Sequence, residues 1–236
     1  MQAGFTGIKK TIRLALILNI DTATEAGSVC LAKDGVSLGS KINTSQKDHA
    51  AVITVFIREL LEENKIEYSR MDAVAISGGP GSYTGLRVAA STAKGLCYAW
   101  NIPLIAINTL KMMVNGVRTP QSERLFCPMI DARRMEVFTA LYNTGLEEII
   151  GPKAVILNED FLEEYRESPL LVFGSGMEKA EKMFRKNTSW QFSGFTNHAE
   201  FMIALSERAF LEKQFQDPAY FEPWYLKAFH KNFTHS

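Results

Sequence analysis

Apolar positions along this 236-residue chain fall into two rhythms: short unbroken runs, and longer stretches in which they recur every three or four residues. Leu14 to Thr22 (LALILNIDT) is an unbroken run ending in an acid and a hydroxyl. That is the pattern of a central strand delivering polar side chains at its carboxyl end. Gly27 to Lys33 and Gly35 to Ile42 are strand-length, and Lys33-Asp34-Gly35 between them carries the Asp-Gly hairpin signal, so a three-stranded meander is expected. From about Lys47 to Glu63, residues Val52, Ile53, Phe56, Ile57, Leu60 and Leu61 recur at helical spacing among charges, which predicts an amphipathic helix. Met71 to Ser77 is a further buried strand, Leu86 to Trp100 a helix stopped by Asn101 and Pro103, and Leu104 to Asn108 (LIAIN) one more strand.

The second half repeats this scheme less completely. Leu125 to Asp131 and Glu136 to Tyr142 form an expected strand pair, Asn158 to Tyr165 a helix entered through an Asn cap, and Leu170 to Phe173 a strand. Helices follow at about Met177 to Arg185 and Asn197 to Phe215, and Tyr220 to Phe229 reads as an irregular aromatic strap over one lobe. The first half's order, β-β-β-α-β-α-β-α, resembles the half-domain of actin, hexokinase and the Hsp70 ATPase. The expected fold is therefore α/β, of the actin-like ATPase (ASKHA, ribonuclease H-like) class, with two lobes that each carry a mixed sheet and flanking helices. Residues 1–12 read as an extension, 13–112 as the N-terminal lobe and 113–236 as a shortened, degenerate C-terminal lobe.

Charge narrows the partners. Acidic and basic residues balance at 26 each, so no global field draws the protein to nucleic acid or an anionic membrane unaided. Cys30, Cys97 and Cys127 have no CxxC spacing and sit in apolar stretches, as buried thiols of a reducing compartment do. Lys9, Lys10 and Arg13 before Leu14 to Ile20 imitate a secretory leader, but the run is short, contains Asn19 and reaches Asp21 without a cleavage signal. A cytoplasmic protein without a membrane span is expected.

The densest chemistry lies in the loop from Gly78 to Arg87, GGPGSYTGLR. Glycines ahead of a helix suit a phosphate cradle built from Gly79, Gly81, Ser82 and Thr84, or equally a tight turn that lets helix and sheet pack closely. Asp21, Thr22 and Thr24 stand where actin-like ATPases hold phosphate and the shell of a metal ion, or form a local β-turn. Gly85 is followed by Leu86 and Arg87, so the P-loop lysine is missing, and Gly79, Gly81 and Gly85 are spaced one residue too widely for a dinucleotide fingerprint. The matching turn of the second half, Asp131-Ala132-Arg133-Arg134, has a bulky arginine where an ATPase of this class wants glycine. His49, His198, His230 and His235 include no HxxxH or HExxH pair, and no metal site is expected.

Four of these segments together, Ile17 to Thr22 (ILNIDT), Gly79 to Arg87 (GPGSYTGLR), Ala93-Lys94-Gly95-Leu96 and Asp131-Ala132-Arg133, resemble in order and spacing the TsaB family of bacterial tRNA threonylcarbamoyladenosine biosynthesis proteins. Glu222 to Lys227 (EPWYLK) is similar to that family's closing motif. The resemblance implies a non-catalytic subunit that heterodimerises with and activates a metal-dependent paralogue, TsaD, in transferring threonylcarbamoyl to the adenosine beside a tRNA anticodon. It also implies a P-loop ATPase partner, TsaE, contact with tRNA through the complex, and a homodimer when isolated. Where that paralogue carries an HxxxH metal pair, this chain reads Thr109-Leu110-Lys111-Met112-Met113, so the metallopeptidase label once attached to such proteins has no ligands here.

Docking in the family uses the first-lobe helices, which here offer His49, Ile53, Phe56, Arg87, Ala90 and Lys94, with one exposed face of the second helix engaged. No cofactor is expected on this chain alone, while ATP or ADP fits at the joint surface of the complex. The rival reading is a small-molecule kinase or ATPase of the same superfold, using Asp21 and the glycine loop on phosphate with Asp131 as base. A third is a degenerate domain that merely self-associates.

Overall fold

The computed structural model describes residues 15–45, 49–119 and 123–226, with the backbone alone for 49 and 50. The extension expected at 1–12 lies outside these residues, as do Lys227, His230 and His235. The first sheet opens with an antiparallel meander of β1 (Leu16–Asp21), β2 (Gly27–Lys33) and β3 (Val36–Asn43). Asp34 and Gly35 join β2 to β3 with φ of 56° and 73°, the left-handed pair that matches strand twist in a two-residue turn. The chain then runs through α1 (His49–Glu63), β4 (Ala73–Gly79), α2 (Tyr83–Trp100) and β5 (Leu104–Asn108), with β4 parallel to both β1 and β5. The sheet order is β3-β2-β1-β4-β5.

Alternation along β1 splits its side chains between two cores. Leu16, Leu18 and Ile20 meet Ile53, Ile57 and Leu60 of α1 and Ala89, Ala93 and Cys97 of α2. Each fully buried Leu or Ile contributes about 1.5–3 kcal/mol. The alanines on α2 let that helix lie close against the sheet. It starts three residues earlier than its apolar spacing indicated, because the Ser82 hydroxyl caps it by accepting from Gly85 N at 3.3 Å.

Ile17 on the opposite face of β1 packs with Ala75 and Ile105 under α3 (Thr109–Val117) and under residues 199–209 from the far end of the chain. The segment expected as one helix from Asn197 to Phe215 is a 3-10 turn at Ala199–Met202 followed by α5 (Ile203–Leu211), and Lys213 in the left-handed region (φ 54°) ends it. Placed by sequence position with the second lobe, this segment packs on the first. Buried polar contacts fix it there: Ser206 Oγ donates to Asn19 Oδ1 (2.7 Å), Ala199 N to Ser28 Oγ (2.9 Å) and Ala15 N to Glu207 Oε1 (3.1 Å).

The second sheet comprises β6 (Leu125–Asp131), β7 (Glu136–Tyr142), β8 (Glu148–Ile156), β9 (Leu170–Phe173) and β10 (Trp190–Ser193), with α4 (Met177–Phe184) between the last two strands. Its order, β8-β7-β6-β9-β10, repeats that of the first sheet: an antiparallel meander, then two parallel strands. β8 and β10 go beyond the sequence reading. β8 carries Pro152, tolerated because the strand lies at the sheet edge. The helix expected over Asn158 to Tyr165 is a series of turns with one 3-10 segment at Glu163–Tyr165, interrupted by Leu162 at φ 52°.

Candidate functional site

Two other segments of the chain close on the glycine loop between β4 and α2. On one side lies the turn after β1, where Ala23 O accepts from Ser82 N at 2.7 Å and Thr22 Oγ1 donates to Gly85 O at 2.6 Å. A Cβ on Gly81 would overlap the Ala23 carbonyl, and one on Gly85 the Thr22 carbonyl. On the other side lies the C-terminal strap, where Trp224 N donates to Gly78 O at 2.8 Å. Gly79, at φ 111° ahead of a cis Pro80, leaves room for the Trp224 carbonyl. The glycines therefore admit the protein's own backbone. Ser82 N, one donor of the expected phosphate cradle, is thus already bonded to Ala23 O, and the Ser82 hydroxyl is engaged by Gly85 N. Thr84 is exposed at the helix start and Thr24 half-buried.

Asp21 is shut away from solvent together with Thr22. Its Oδ1 accepts from Ala23 N at 3.0 Å, while Oδ2 has no hydrogen bond among the described residues. Burial pushes its carboxyl above the usual carboxylate range. Ser77, Asn197 and His198 pull it partly back, although neither Ser77 Oγ nor Asn197 Nδ2 reaches it with hydrogen-bond geometry. Asp131, its counterpart at the end of β6, is held by Lys179 Nζ (2.8 Å) and Arg133 N (2.6 Å), so a proton-abstracting role would first break an ion pair.

The residues expected at a partner interface are dispersed. His49 opens α1, but its side chain lies outside the described residues. Ile53 is a correction: it is fully buried in the core between helix and sheet, so no partner can touch it. Phe56 is half-buried against the same core. Arg87 lies 4.0 Å over the Tyr83 ring, which in turn packs on Tyr225, and Lys94 Nζ reaches Ala219 O at 3.4 Å. With the buried Ala90 they line a cavity of about 270 Å³ walled on its far side by Phe221, Pro223 and Tyr225. The strap thus occupies that flank of α2.

The open part of α2 runs from Ser91, which is exposed at the edge of that cavity, through Gly95, Tyr98 and Ala99, and α1 exposes Thr54, Val55 and Arg58. Tyr98 is 90% exposed, and a Cβ on Gly95 would meet nothing within 4 Å among the described residues. Tyr98 escaped the sequence reading, which weighed the small residues of this helix and not the aromatic one turn on.

Comparison with known proteins resolves the family. The family model described as TsaD, tRNA N6-adenosine threonylcarbamoyltransferase, matches residues 40–222. The Bacillus subtilis tRNA threonylcarbamoyladenosine biosynthesis protein TsaB is 30% identical over 162 residues, covering 67% of this chain and 70% of that protein. The chain belongs to the TsaB family. The Haemophilus influenzae TsaB is 28% identical over 222 residues, 89% of this chain and 93% of its own length. Among solved structures, a Pseudomonas aeruginosa protein described as similar to the peptidase YeaZ superposes with a TM-score of 0.76 at 26% identity, covering 90% of this chain and all of its own. The duplicated sheets accordingly form the two-lobed actin-like fold. In this TsaB-family chain Leu110, Met112 and Met113 are buried where α3 meets the two lobes. Among the described residues no group of three His, Cys, Asp or Glu is placed to hold a metal, and no helix is long and apolar enough to cross a membrane.

Proposed function

We propose that this chain is a non-catalytic scaffold subunit in tRNA threonylcarbamoyladenosine formation, docking a metal-dependent TsaD-type paralogue through the exposed faces of α1 and α2 and so activating threonylcarbamoyl transfer. The observation that carries the reading is Gly95. A glycine inside a helix costs about 1 kcal/mol relative to alanine, and among the described residues nothing near it requires the missing side chain. Close approach by a second backbone accounts for it, with Tyr98 beside it as the kind of rigid, amphipathic anchor that dominates interfaces. The buried Asp21 and the loop filled by Ala23 and Trp224 agree with a subunit that leaves the chemistry to its partner.

In the same reading, ATP or ADP binds at the joint surface and the P-loop ATPase TsaE acts as a third component, while in isolation the open face pairs two copies of the chain. The test is co-expression with the TsaD paralogue, sizing of the complex, and mass spectrometry of the modified tRNA. Tyr98→Glu and Ser91→Arg should each abolish the heterodimer and the modification while leaving the chain folded. An intact complex in both variants would sink the proposed face. Tight ATP binding by the isolated chain, lost on Asp21→Ala, would favour a kinase instead.

A further inference from the structure

The β6–β7 turn is built against its own backbone preference. Arg133 and Arg134 both adopt left-handed backbone, at φ 69° and 49°, where asparagine and glycine are the residues normally found. The hairpin closes through Ala132 N to Glu136 O and Glu136 N to Arg133 O, each at 3.1 Å. Both arginines are exposed, and neither guanidinium forms an ion pair or a hydrogen bond among the described residues. This is so even though Asp131 is two residues away, because that carboxylate is taken by Lys179 Nζ and Arg133 N. Two planar, permanently charged forks, without a partner among the described residues, are therefore presented at the end of the second sheet, in a chain whose 26 basic and 26 acidic residues balance overall.

We infer that the Arg133-Arg134 turn is a phosphodiester contact for the RNA substrate of the complex. The inference rests on the functional reading above. Guanidinium forks match phosphate oxygens two at a time, and such contacts fix orientation without reading sequence. A hairpin tip is far smaller than the roughly 800 Å² per partner that a stable protein interface buries, whereas phosphate contacts are point contacts. Ile156, 69% exposed and paired with Glu136 across the β7–β8 ladder, adds an apolar surface beside the turn on which a ribose or an unstacked base can rest.

The experiment uses the full chain in complex with its paralogue, binding labelled tRNA at a series of salt concentrations. Two double variants are compared with the wild type. Arg133→Asn with Arg134→Gly restores the preferred turn, and Arg133→Gln with Arg134→Gln removes the charge at similar size. Both should weaken tRNA binding about tenfold and flatten the log–log salt dependence by roughly two phosphate contacts. The first should also raise the melting temperature of the isolated chain. Unchanged affinity and salt slope in both variants overturn the inference. So does an equal loss of ATP binding, which would mark a nucleotide site, or loss of the paralogue from the complex, which would mark an acidic protein surface. If the wild-type chain forms no complex, the functional reading fails by itself, and tRNA binding to the chain alone still decides the arginines.

Discussion

Gly95 allows the docking argument to be tested in both directions at once. Gly95→Ala adds a methyl group into open space in the interior of α2 at an ordinary helical φ. The isolated chain should therefore gain about 0.8–1 kcal/mol, the helix-propensity difference between the two residues. For a chain of this size that corresponds to a rise of roughly 2–4 °C in Tm, readable by calorimetry or as a shifted urea midpoint at constant m. Gly95→Arg should be nearly neutral for the fold, since nothing blocks the side chain. Across a helix-on-helix contact, however, the added atoms overpack, at a cost of about 1–3 kcal/mol, or roughly 5- to 150-fold in Kd for the paralogue by isothermal titration. A destabilising Gly95→Ala would show that α2 is not free at this position. An unchanged Kd with Gly95→Arg would leave the glycine without a partner to explain it, and the proposed face would fall.

Further measurements follow from the interior. Gly85→Ala should cost about 3 kcal/mol in urea unfolding, because its Cβ would overlap the Thr22 carbonyl and disturb the Thr22 Oγ1 to Gly85 O bond; a loss below the error of the midpoint would show that the loop yields easily. The Asp21 carboxyl titrates above its ordinary 3.8 in the fold, so between its unfolded and folded pKa the native state holds the extra proton and the stability tied to this group falls as pH rises. Asp21→Asn keeps an oxygen for Ala23 N, so it should match the wild type at pH below the unfolded pKa and exceed it increasingly as pH rises toward the folded pKa; curves that stay parallel would mean that burial does not strain this carboxyl. Burial pushes the Cys30 and Cys97 thiols up to about 11 and Cys127 to about 12, so all three should resist a disulfide reagent at pH 8 until denaturant is added. A thiol that reacts within seconds in the native protein would contradict its buried setting.

Much of the fold was legible because its signals are local. The run through Ile17, Leu18 and Ile20, the Asp34-Gly35 turn and the helical spacing of α1 each follow from a few neighbouring residues, and each element lies within a few positions of its expected place. The second lobe yielded less. β8 exposes Ile149 and Ile156 and carries Pro152, so its pattern lacks the apolar alternation of a half-buried strand, and β10 is four residues long. The site was readable in its motifs but not in their use. Nothing within GGPGSYTGLR says that Ala23 and Trp224, 58 and 143 residues from Gly81, would supply the close-packed atoms. Ile53 failed as a surface residue for a similar reason. Periodicity identifies an apolar stripe, but only the sheet's position shows which part of that stripe it covers.

The return of residues 199–209 to the first sheet has a consequence for synthesis on the ribosome. When β1 to β5 have emerged, Ile17, Ala75 and Ile105 still lack their cover, and Asn19, Ser28 and the Ala15 amide lack the partners that Ser206, Ala199 and Glu207 later provide. The first lobe therefore cannot finish before the second has been translated. At about 5–20 residues per second, the roughly hundred residues between β5 and α5 leave an apolar sheet face open for several seconds. During that interval the nascent chain is a natural client for a chaperone, and a chain truncated before residue 199 would carry the same bare face permanently.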